Sequence, residues 1–187
     1  MLARYRALPP AVRGWVPYVG VAAGMGLTLF VLGAAVGAES TDSAIIPVRE
    51  PGSPAPDLTV LGLFAHNAAI AVRSALGLLT LGVYTTHVQV INGFVIGAAW
   101  ADAAAALGWG RATLSLAPHG ALEIPALWLS GAVGFRWLYT VWAIATGDRD
   151  RMPAPRLALE SLLVTALVLC LLALAAVLEA TVSVHLV

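Results

Sequence analysis

Apolar residues run through this chain in long blocks split by short polar breaks, not in the alternation of a half-buried strand. A helix that crosses a bilayer takes about 20 mostly apolar residues. Five blocks reach that length, over residues 16–38, 58–84, 88–107, 119–146 and 157–182. They predict an all-α, polytopic membrane bundle of five transmembrane helices, one integral membrane domain over residues 1–187. The first block has features of a secretory signal, with Arg4, Arg6 and Arg13 before it and Val36-Gly37-Ala38 at its end. Its apolar run exceeds the roughly 7–15 residues of a signal core, so it is read as a retained helix.

Composition makes the membrane assignment firm. Of 187 residues, 60% are hydrophobic and 11% charged, with a mean hydropathy of +0.88. Soluble domains average roughly 45–50% apolar and about 25% charged residues. A core of this size cannot hide that excess, which excludes a soluble enzyme. The 10 basic residues, all arginine, are balanced by 10 acidic ones, and no basic face points to nucleic acid. The single cysteine, Cys170, excludes an intrachain disulfide and a Cys-rich metal knuckle, and reads as a small lipid- or core-facing residue.

The arginines set an orientation. With the N-terminus inside, Arg4, Arg6, Arg13, Arg149, Arg151 and Arg156 are cytoplasmic, while only Arg49 and Arg111 fall in outside loops. The expectation is therefore N-terminus in and C-terminus out, in the cytoplasmic membrane. The long external loop, 39–57, carries Pro47, Pro51, Pro54 and Pro56, and reads as a semi-rigid strap that either docks a partner or merely connects. A turn near Thr85 to His87 joins the second and third spans.

Ionisable side chains inside a span are costly and are functional candidates by default. The topology places His66 and Asn67, Asp102, His119 and Glu123, and Glu179 towards the outer side on four different spans. Arg73 and Arg136 fall near the midplane, with Asn92 and Glu160 towards the inner side. His66, Ile70, Arg73 and Gly77 share one helical face, expected to point into the bundle with Glu123 or Glu160 as the partner of Arg73. These residues form either a polar lock between helices or a site. His66, His119, Glu123 and Glu179 are also ligand types suited to Zn²⁺ or another divalent transition metal, although no HExxH motif is present.

Lipid gives helices no hydrophobic reason to associate, so small residues and polar contacts hold them together. Gly20/Gly24, Gly33/Gly37 and Gly93/Gly97 are GxxxG pairs, and Gly131 and Gly134 add a small face. They predict close packing within the bundle or a homodimer seam along the first span. Trp15, Tyr18, Tyr84 and Trp109 read as interface anchors.

Four motifs, in this order, resemble the stage II sporulation protein M (SpoIIM) family. They are Phe64-Ala65-His66-Asn67 with Ala71-Val72-Arg73; Ile91-Asn92-Gly93-Phe94-Val95-Ile96-Gly97; Pro118-His119-Gly120-Ala121-Leu122-Glu123; and Ala175-Ala176-Val177-Leu178-Glu179-Ala180. His66 stands where the family pattern usually carries a first Asn. The resemblance implies a multi-pass membrane scaffold that positions partners of the peptidoglycan-remodelling type, in envelope remodelling or sporulation engulfment. Two other classes stand beside it: a metal-dependent membrane hydrolase using His66, His119 and Glu123, and a transporter or channel subunit with Arg73 and Arg136 in its path. No internal repeat or pair of broken helices supports the last of these.

Overall fold

In lipid every backbone N–H and C=O must be paired within the protein, which a helix achieves along its own length. The computed structural model describes residues 9–39 and 59–181, without the side chains of Ala11, Leu78, Ser115, Leu116, Pro118 and His119. After a short turn at Pro10–Arg13 come α1 (Val16–Glu39), α2 (Val60–Ala75), α3 (Val83–Leu107), α4 (Trp109–Ala145) and α5 (Ala154–Thr181). A 3₁₀ turn, Leu76–Thr80, links α2 to α3, and no strand occurs among the described residues. Helices α1, α3 and α5 are long and apolar enough to cross a membrane, whereas α2 is apolar but only 16 residues long. Beyond Glu39, the expected external strap lies outside the described residues, as do Arg4 and Arg6.

Glycine determines how these helices meet. A methyl group on Gly33 would fall on the carbonyl oxygen of Phe94, and one on Gly97 on the carbonyl oxygen of Phe30. On Gly93 it would stand 2.8 Å from the Gly26 carbonyl, and on Gly37 3.1 Å from that of Ala98. Residue numbers rise together along this seam, so α1 and α3 are parallel, backbone against backbone. The GxxxG pairs Gly33/Gly37 and Gly93/Gly97 are therefore spent on each other within one chain. A methyl group on Gly20 or Gly24 would have nothing within 4 Å, and these two take no part in the seam.

Helix α4 runs antiparallel to this pair. Gly131 lies against Ala22 and Gln89, and Gly134 against Thr85 and the Ser74 carbonyl. Helix α5 returns along α4 and α2, where Ala71, Ala126, Val168 and Leu172 form a buried cluster. Cys170 is exposed on the outer face of α5.

Three element boundaries differ from those the hydropathy predicts. The 58–84 block is not one helix. Leu81 (φ 49°) and Gly82 (φ 78°) both take the left-handed conformation and reverse the chain there, so α3 starts at Val83 and His87 sits in its first turns. The turn itself is apolar, with Leu79, Leu81 and Val83 all more than half exposed, so hydropathy carries no mark of it. Second, Gly108 (φ 83°) alone separates α3 from α4. The loop expected before His119 is instead helical from Trp109, and Trp100 braces this corner by stacking edge-on to Trp109 and donating from Nε1 to Thr113 Oγ1. Third, α4 has 37 residues, about 55 Å at the helical rise, and passes straight through Pro118 and Pro125. Pro125 is thus interior to the helix, where it forgoes one backbone hydrogen bond.

Candidate functional site

The polar side chains of the bundle gather in three places. The most buried is at the end of α2, among Ser74, Thr85, Gln89 and Ser130. Thr85 Oγ1 donates to the Ser74 carbonyl (2.7 Å), and Ser130 Oγ to that of Ala71 (2.6 Å). Gln89 Nε2 donates to the Leu127 carbonyl (2.8 Å) and to Ser74 Oγ (3.3 Å). These bonds pin the α2–α3 hairpin to the middle of α4. Sequence reasoning missed all four residues. Ser74 and Gln89 are polar interruptions of apolar runs, a usable signal, but hydropathy puts Thr85 in a water-exposed turn.

The second group lies towards the other end of α2. Asn67 Nδ2 donates to Glu123 Oε1, tying α2 to α4, and Glu179 of α5 lies within electrostatic range of Glu123. Two of the sequence-predicted residues, from two helices, are thus bonded to each other, with Glu179 of a third in electrostatic range only. His66 is exposed and Asp102 half-buried near the end of α3, with no hydrogen bond or ion pair to a described residue. His119 belongs to α4, but its side chain lies outside the described residues. Among the described residues no three His, Cys, Asp or Glu side chains converge as a metal centre requires. One oxygen of Glu123 is already taken by an amide donor, as a structural link would have it. Glu123→Ala is expected to lower the recovery of folded protein in size-exclusion chromatography more than Glu39→Ala, whose carboxylate is exposed. Equal recoveries would contradict a lock at this position.

The third group joins α4 to α5 at the end where α1 begins. Arg136 Nη1 pairs with Glu160 Oε2 at 2.7 Å, and Arg156 Nε with Glu160 Oε1 at 2.7 Å. The Arg136 guanidinium also lies 4.2 Å from the ring centre of Trp15, which is buried against it. Trp15 is thus a packing partner of a charged group, not a simple interface anchor. Trp137 Nε1 donates to Ser161 Oγ alongside (3.0 Å).

Two expectations about the arginines are corrected. Arg73 pairs with neither Glu123 nor Glu160, and makes no ion pair with any described residue. It is exposed two residues before the end of α2, because the inward face carries Asn67, Ala71 and Ser74, one step round the helix. Small residues win that face because they allow close approach, and the long arginine side chain can reach the interface from the last turn. Arg136 is level with the start of α1, not at a midplane. Asn92 Nδ2 bonds the Val88 carbonyl of its own helix (2.8 Å).

A family model described as stage II sporulation protein M matches residues 22–184, most of the chain. The chain belongs to the SpoIIM family. That match takes in α1 from Ala22 onward, the whole of α2 to α5, and all three polar groups except Trp15. No curated protein and no solved structure matches the chain. Family membership and the apolar helices together make this SpoIIM protein a membrane protein.

Proposed function

We propose that this SpoIIM-family protein is a membrane scaffold that recruits or positions partner proteins for cell-envelope remodelling or a sporulation-type engulfment. It sits in the cytoplasmic membrane, crossing it five times, with its N-terminus inside and C-terminus outside. One observation carries the reading. The polar side chains at helix junctions bond to another helix, as in Asn67 to Glu123, Ser130 to Ala71, Gln89 to Leu127 and Arg136 to Glu160. Such bonds give a frame of fixed shape, which a scaffold needs. The orientation draws support from Arg13, Arg149, Arg151 and Arg156, which collect at the end of the bundle where α1 begins.

The test is chemical cross-linking in native membranes, then affinity isolation of the full chain and quantitative mass spectrometry. The expected result is a membrane or envelope protein of the wall-remodelling class at near-stoichiometric amounts. Turnover of a substrate by the purified chain alone, abolished by His119→Ala, would overturn the scaffold reading in favour of a membrane hydrolase.

A further inference from the structure

A cavity of about 330 Å³ opens between the end of α4 and the start of α5, lined by Arg136, Arg149, Arg151, Pro153, Arg156 and Leu157. Four arginines line it, and no acidic residue among the described ones does. Such a concentration of like charge is unfavourable unless an anion joins it. Glu160 behind the wall neutralises only part of it, because its two oxygens are already shared between Arg136 and Arg156. Arg156 engages Glu160 through Nε, which leaves its two terminal nitrogens for another acceptor. Arg149 and Arg151 make no ion pair with any described residue. The nearby Asp148 accepts a hydrogen bond from Thr146 Oγ1 (3.1 Å), and neither it nor Asp150 lines the cavity.

The loop that presents these arginines is a built turn. Gly147 takes φ 82° after the last residues of α4, and the Arg149 N–H donates back to the Ala143 carbonyl at 3.0 Å. Pro153 then leads into α5, whose first turn adds the positive end of its dipole to the same cavity.

The surroundings decide which anion suits it. Tyr139 and Trp142 stand exposed on α4 at this level, 53% and 57% accessible, as aromatic residues do at the headgroup layer. Three and seven residues after Arg156, and so on its face of α5, Leu159 and Leu163 are each about 60% exposed, an apolar track for acyl chains. An arginine pocket at headgroup depth with an apolar track leading from it fits an amphiphile better than a free ion.

We propose that this cavity binds the phosphate of an anionic phospholipid headgroup, with Arg149, Arg151 and Arg156 as its donors and Arg136 as its fixed inner wall. The proposal does not depend on the scaffold reading, only on the chain's place in a bilayer.

The test uses the full chain in nanodiscs of phosphatidylcholine containing increasing phosphatidylglycerol, with bound lipid counted by native mass spectrometry after release into detergent. Wild type is expected to retain phosphatidylglycerol over phosphatidylcholine, and Arg149→Gln/Arg151→Gln to weaken that retention about tenfold or more. Both changes lie in an exposed loop, and circular dichroism with chromatography verifies that the variant is folded. Arg111→Gln, at the other end of the bundle, is expected to retain lipid like wild type. Equal retention of both lipids, or an unchanged double variant, would overturn the proposal. Inorganic phosphate that binds the detergent-purified chain and displaces phosphatidylglycerol at millimolar concentration would overturn the lipid assignment, leaving a site for free phosphate. Failure to displace it supports the lipid.

Discussion

Gly33→Ala and Gly97→Ala are each expected to destabilise the folded bundle severely, and the double variant to yield almost no monodisperse protein. The added methyl group meets a main-chain carbonyl in both cases, Phe94 for Gly33 and Phe30 for Gly97. A side chain in the way could change rotamer, but a carbonyl within a helix moves only if the helix moves. Overpacking a well-filled interior costs about 1–3 kcal/mol, and these contacts fall at the upper end because neither partner has a cheap escape. The control is Gly24→Ala, on the same helix with nothing within 4 Å of the new methyl. Its effect should be neutral or slightly stabilising, since alanine favours a helix over glycine by up to about 1 kcal/mol. Thermal melting of detergent-purified protein checks the series. A Gly97→Ala variant melting with Gly24→Ala would mean that α1 and α3 do not touch through these residues.

Glu160→Ala is expected to cost about 3–5 kcal/mol, because it strands the guanidinium of Arg136 in a largely buried place. The two side chains are 18% and 15% exposed, so solvent entering from the cavity that Arg136 lines replaces only part of the lost carboxylate's role. Trp15 holds the other face of Arg136 and limits its escape towards water. Removing both charges should do less harm than removing one. Arg136→Met/Glu160→Met is therefore expected to melt well above Glu160→Ala, since an apolar pair leaves no orphaned charge. Additive losses across this double-mutant cycle would show that the two residues are not coupled.

The long apolar blocks make the all-helical membrane class legible, and the glycine spacings point to close packing without naming the partner. Hydropathy cannot locate the reversal at Leu81 and Gly82, because the residues of that turn are as apolar as a helix facing lipid. It also misplaces the start of α4, since Gly108 is one glycine among many and only its positive φ breaks the helix. From the first error follows the misplaced depth of Arg73, whereas Arg136 is level with Trp15 because α4 runs on past the start of α1. The pairing of Asn67 with Glu123 joins two residues 56 positions apart, and periodicity carries no information about which helices are neighbours. The buried side chains of Thr85, Gln89 and Ser130 escape a search for charge, which overlooks neutral groups that donate to carbonyls of adjacent helices.

If Asn67 and Glu123 join α2 to α4, the bundle needs no metal to hold them and loses stability when Glu123 is cut back. Elemental mass spectrometry of the detergent-purified chain, wild type beside His119→Ala and Glu123→Ala, separates a structural link from a reaction centre when each sample is also melted. The expected result is no stoichiometric transition metal in any of the three, together with a lowered melting temperature for Glu123→Ala. Near-stoichiometric zinc in the wild type, lost in His119→Ala while melting is unchanged, would contradict the structural role.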